Sequence, residues 1–149
     1  MERPFVGDNA RERERLRALT SRLTDEELHL DLGDGWTVAT ALAHLAFWDY
    51  LSLTRIRRWK QSGVSVSSLD LDVINDALLP LLREVASKRA VELAIAAAEA
   101  VDAELENLPS SMVEAIEALG DRRRLFRSIH RSMHLDQIEE ALAGLGHSS

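Results

Sequence analysis

Apolar residues recur every three or four positions along almost the whole of this chain, and no stretch alternates apolar and polar in twos. That spacing gives each segment one apolar stripe on a helix and leaves nothing with the period of a half-buried strand. The residues filling the pattern agree. Alanine, leucine, glutamate and arginine dominate, and there are only seven glycines and three prolines to interrupt them. At 149 residues, 46% apolar and 29% charged, the chain has the size and balance of one globular domain. The expected fold class is all-α, with a single domain over residues 1–149.

The segments can be placed from their caps and breakers. A first helix is expected over residues 8–23, with Leu16, Leu19 and Leu23 inward and the Arg11 to Arg15 run solvated. Thr24 with Glu27 reads as a capping box opening one short turn. Gly33, Asp34 and Gly35 mark a loop. Thr37 is a good N-cap for a second helix to about residue 61, whose inward side includes Ala41, His44, Leu45, Trp48, Ser52, Ile56 and Trp59. Residues 63–68 form a polar loop. A third segment begins near 72–75, with Pro80 placing a start near Leu78 or a kink. Ser87 could cap a fresh start, running to about 107, and Leu108, Pro109 and Ser110 end it. Residues 112–119 suit a short helix stopped by Gly120. Asp121 then caps the last helix, to about residue 143, with a frayed tail beyond. Four main amphipathic helices make a four-helix bundle with a long connection between the second and third.

Charge and cysteine usage narrow the function. A net charge of −7 opposes nucleic acid as a partner. With no cysteine there is no disulfide, no thiolate ligand and no cysteine nucleophile, so sulfur chemistry would need an incoming thiol. Residues 1–9 lack the apolar run of a secretory signal, and the alanine-rich stretch over 94–103 is broken by Glu99 and Asp102. The expectation is a soluble, cytoplasmic protein with no membrane partner.

The chemistry concentrates on histidine. His130 and His134 are four apart, so both rings leave one face of the last helix, and Phe126, Met133, Ile138 and Ala141 on or beside that face should turn it inward. Two imidazoles at this spacing can chelate one ion, and a third ligand must come from another helix, for which His44 is the best candidate. Neutral imidazole suits zinc, nickel, copper or iron, and three protein ligands leave positions open, as catalytic sites do. The plain alternative is that His44 is a satisfied core histidine and the pair is incidental. His29 and His147 read as solvated. Asp49 could orient a ligand from behind, or be a solvated or ion-paired aspartate, and Gln137 could hydrogen-bond near the site or fill the bundle edge. Trp36, Trp48 and Trp59 could line a cavity or pack as core. Arg122, Arg123, Arg124 and Arg127 could receive an anionic cosubstrate or form a solvated face.

Three segments carry a family likeness: Gly35-Trp36-Thr37-Val38, then Ala43-His44-Leu45-Ala46-Phe47-Trp48-Asp49, then His130-x-x-x-His134-x-x-Gln137-Ile138. Together they resemble the DinB-like superfamily, which includes YfiT-like proteins described as metal-dependent hydrolases and the N-terminal domain of mycothiol-dependent maleylpyruvate isomerase. The resemblance implies a DinB/YfiT-like bundle in which His44, His130 and His134 bind a divalent metal, usually zinc or nickel. It further implies a small-molecule substrate, with activities such as thiol-dependent transfer or isomerisation using mycothiol, bacillithiol or glutathione, or hydrolysis. It also makes a homodimer plausible through long helices, with Leu81 and Leu82 on the outward side of the third segment. A non-catalytic bundle binding a small apolar ligand or a partner protein is the alternative. A nucleic-acid accessory role is the weakest, being opposed by the charge.

Overall fold

A computed structural model describes residues 2–66 and 68–146. The chain runs α1 (Pro4–Thr20), α2 (Asp25–Leu28), β1 (Asp31–Gly33), β2 (Trp36–Thr37), α3 (Val38–Ser62), α4 (Leu71–Leu82), α5 (Ser87–Glu106), α6 (Ser110–Glu117), a 3₁₀ turn (Arg122–Arg124) and α7 (Arg127–Gly146). The four long helices α1, α3, α5 and α7 form the bundle, in which α3 packs on α5 and α7, and α1 packs on the same two. The long connection between the second and third of these helices holds α4. No helix among the described residues is long and apolar enough to cross a membrane.

Several boundaries differ from those expected, each for a local reason. The first helix is offset toward the start of the chain, with Pro4 in its opening turn, where a missing amide costs nothing. The glycine-rich loop is a small antiparallel hairpin pairing Asp31 with Thr37 and Gly33 with Trp36. Its two turn residues, Asp34 and Gly35, have φ of +53° and +83°, as a tight Asp-Gly hairpin turn requires. Pro80 does not start α4: Asp70 caps that helix by accepting from the Val73 amide, and Pro80 lies inside it, in the last turn. Ser87 is the first residue of α5 and not its cap. Thr24 and Thr37 cap α2 and α3 as expected, each in a reciprocal capping box. On α4 Leu81 faces solvent, whereas Leu82 is buried, correcting its expected outward side.

The last helix begins later than its spacing predicts. Asp121 caps the 3₁₀ turn and not α7, which starts only at Arg127. Asn9 of α1 accounts for the break. Its side-chain amide donates to the Leu125 carbonyl at 2.8 Å and its side-chain oxygen accepts from the Ser128 amide at 2.9 Å. A distant residue thus satisfies backbone groups that a continuous helix would have satisfied itself. At its other end α7 runs to Gly146, beyond the expected stop. His147 and the two serines after it lie outside the described residues.

The core has two apolar layers. One gathers Leu16, Leu42, Leu45, Ala94, Leu135 and Ile138, and the other Phe5, Leu53, Ile56, Val101, Leu105 and Ile116. Between them runs a belt of buried polar side chains: Asn9, Asp49, Asp102, Arg127 and Arg131. Asp49 accepts from Arg127 Nε at 2.8 Å and from Arg131 Nε and Nη2 at 3.2 and 3.1 Å. Asp102 accepts from both terminal nitrogens of Arg131, at 2.9 and 2.8 Å, and from Arg13 at 2.7 Å. Burial alone would lower the Arg131 pKa, but the charge of Asp49 and the hydrogen bonds and charge of Asp102 raise it, so this fully buried guanidinium stays charged.

Candidate metal centre

The belt fixes how α7 is rotated. With Arg131 clamped between two carboxylates in the interior, the residue before it, His130, is turned about 100° away, toward α3. His134, one turn on, falls on the same side. His44 meets them from the second turn of α3, the helix that Thr37 caps, and is 5% exposed. The hairpin sets the Trp36 ring edge-on to His44 at 5.2 Å, and Trp48 lies at 6.3 Å from it. Trp48 is itself tied to α4, donating from Nε1 to Asn75 Oδ1 at 2.9 Å.

The three imidazoles converge. One nitrogen from each of His44, His130 and His134 can be chosen so that all lie within 4.8 Å of one another. His44 Nε2 and His130 Nε2 stand 3.1 Å apart. Two nitrogens bound tetrahedrally to one ion at ~2.0–2.1 Å would stand ~3.3–3.4 Å apart, so this spacing needs little adjustment. His44 Nδ1 and both ring nitrogens of His134 are buried with no hydrogen-bond partner of normal geometry. Buried polar atoms without partners are costly, and an ion shared by the rings would relieve that cost. The donor set and the orphaned nitrogens therefore fit a divalent transition metal.

All three rings are held in the form a metal needs. Burial, then the neighbouring His134, brings the His44 pKa down to about 4. Burial, then His134 and Arg127, brings His130 down to about 2. Burial also lowers His134, partly opposed by Gln137 beside it. Since these folded-state values lie below the ordinary 6.5, the unfolded chain binds more protons than the folded one once pH falls below that value. Through His44 alone, metal-free protein should therefore lose stability, on the order of 2 kcal/mol, as pH drops from 6.5 towards 4, and His130 and His134 add to that loss. Urea unfolding at stepped pH measures this. A flat profile for the wild type, or an equal slope in a His44→Leu variant, would count against it.

The rings open into a cavity of about 670 Å³ that α3, α4, the 3₁₀ turn and α7 share. Trp36 and Trp48 line it, whereas Trp59 is buried in the core. Met133 also lines it and is 59% exposed, so it does not face the core as its position beside the histidines suggested. Asp49 lies behind the site and touches the two arginines, not a histidine. Gln137 stands beside His134 at the cavity. His29 is apart from the site, its ring Nδ1 against the Asp25 carbonyl at 2.7 Å.

The arginine–aspartate belt was not foreseen from the sequence. A signal was present: Asp49 stands four residues from both Leu45 and Leu53, and Asp102 four from Ala98, positions where an apolar stripe demands an apolar residue.

Among known proteins, a family model described as the DinB superfamily matches residues 9–144, which take in most of the four long helices and all three histidines. No curated protein and no solved structure matches the chain.

Proposed function

The chain belongs to the DinB superfamily, and on that footing we propose that His44, His130 and His134 hold one divalent metal ion, zinc or nickel first, in a metal-dependent enzyme that acts on a small molecule. The observation that carries this reading is the convergence of three neutral imidazoles on an open cavity, with buried nitrogens of His44 and His134 left without a hydrogen-bond partner. When bound, such an ion supplies Lewis acidity, lowering the pKa of a thiol or of water to near neutrality. The protein's residues do the rest. The histidines remain lone-pair donors at neutral pH because burial has taken away their basicity. Trp36 and Trp48 shield the inner ring of His44 from bulk water. The chain has no cysteine, so a thiol nucleophile would enter with the substrate or cosubstrate. Thiol-dependent transfer or isomerisation is the favoured chemistry and hydrolysis the second.

Cobalt substitution tests both parts. One equivalent of cobalt(II) should bind with the visible absorption of a nitrogen-ligated ion, and adding a small thiol should produce a thiolate-to-cobalt charge-transfer band in the near ultraviolet. Cobalt uptake without that band would remove the thiol chemistry and leave hydrolysis. No uptake of cobalt, zinc or nickel would reduce the protein to a bundle that binds an apolar ligand or partner.

A further inference from the structure

The cavity that receives the histidines has one wall of unusual charge. Arg55 of α3, Arg123 and Arg124 of the 3₁₀ turn, and Arg127 of α7 all line it, against two carboxylates, Asp72 and Asp121. Two of the four guanidinium groups are committed. Arg127 is paired with buried Asp49 at 2.8 Å, and Arg123 with Asp121 at 3.2 Å. Arg55 and Arg124 have no carboxylate partner within salt-bridge distance among the described residues. Both instead lie against the Trp59 ring, at 6.0 and 5.8 Å. Arg124 Nε is buried and makes no hydrogen bond.

This arrangement is costly as it stands. Burial, then the charges of Arg124 and Arg127, lowers the Arg55 pKa, with Asp121 only partly opposing them. Asp121 does feel the charge of Arg124, but its oxygens take their hydrogen bonds from Arg123. The belt behind adds to the imbalance, since three guanidiniums (Arg13, Arg127, Arg131) face two carboxylates (Asp49, Asp102). Two desolvated like charges become favourable when an anion joins them, and a planar guanidinium matches the paired oxygens of a carboxylate or phosphate. The cavity also has apolar lining, through Leu51, Val66, Leu69 and Met133, and its volume suits a small organic molecule.

We propose that Arg55 and Arg124 form an oxyanion subsite, and that the substrate of the three-histidine centre is a small organic anion, a carboxylate or phosphate on an apolar body. The second half rests on the histidine centre being the reaction site. The first half stands on the arginines alone. The anion docks on the arginine wall, the apolar body lies along Leu51 and Met133, and the reactive group is left facing the histidines.

Calorimetric titration tests it, with phenylacetate, phenyl phosphate and neutral phenylacetamide as probes, in metal-free and in zinc-loaded protein. Metal-free protein should bind at least one of the two anions about tenfold or more tightly than the amide. Which anion binds better identifies the oxyanion. Arg55→Met and Arg124→Met keep most of the side-chain bulk against Trp59, and each should lose most of that preference. Arg58→Met, on the exposed side of α3, should keep it. Melting temperatures near the wild type's establish that the variants are folded. Equal affinity for amide and anions, or anion binding unchanged in both arginine variants, overturns the subsite. If no metal binds but anion affinity still depends on Arg55 and Arg124, the metal reading fails and the subsite stands. If zinc binds at one equivalent and the anions ignore both arginines, only the subsite fails.

Discussion

Asp49→Ala is expected to destabilise the fold by about 3–5 kcal/mol, the range for removing one partner of a buried ion pair. Asp49 is 2% exposed and serves two guanidiniums, those of Arg127 and Arg131. Without it Arg131 keeps Asp102, but its Nε is left buried and unpaired, and Arg127 keeps only the Arg123 carbonyl at 3.0 Å. The loss comes mainly from that uncompensated buried charge and not from the missing attraction. A second substitution should therefore recover part of it. The Asp49→Ala, Arg131→Met pair is expected to be less unstable than the sum of the two single changes, by about 0.5–3 kcal/mol. Urea unfolding of all four proteins measures the cycle. If Asp49→Ala lies within about 0.5 kcal/mol of wild type, the belt is far better solvated than its burial indicates.

His130→Ala should abolish stoichiometric metal, and His134→Ala should do the same. Either change leaves one histidine on each of two helices, a weak chelate, and loss of one donor from three should weaken binding by more than ~100-fold, since even residues supporting a ligand are worth 10–100-fold. Stability gives a second readout. At a free zinc concentration ~100 times its dissociation constant, the wild type gains about 2.7 kcal/mol and melts several degrees higher, whereas each variant gains almost nothing. His29→Ala, whose ring is apart from the site, should behave as wild type. Tight uptake of one equivalent by His130→Ala would exclude the three-histidine centre.

The site was more legible in the sequence than the belt that holds it, and the reason is locality. His130 and His134 declare themselves by spacing within one helix, and His44 by lying on the inward stripe of another. Asp49, Asp102 and Arg131 have no such signature, because each has its partners 29 or more residues away. Their meaning depends on which helices are neighbours, which the pattern of any one segment does not reveal. The helix boundaries divide in the same way. Thr24 and Thr37 cap through their own neighbours and were readable. The break before Arg127 was not, since it is maintained by Asn9 from 116 residues away. The Asp34–Gly35 turn lay between these cases: its dipeptide is a hairpin signal, but strands of two and three residues are too short to show alternation.

His44 and His130 are separated by 86 residues of sequence. Bringing them together closes a long loop, whose entropy must be offset by the α3–α5 and α3–α7 packing before any ion can profit from the finished geometry. On the proposed reading, metal loading follows the assembly of these helices. Zinc should slow unfolding strongly and leave the refolding rate almost unchanged, as for interactions absent from the transition state.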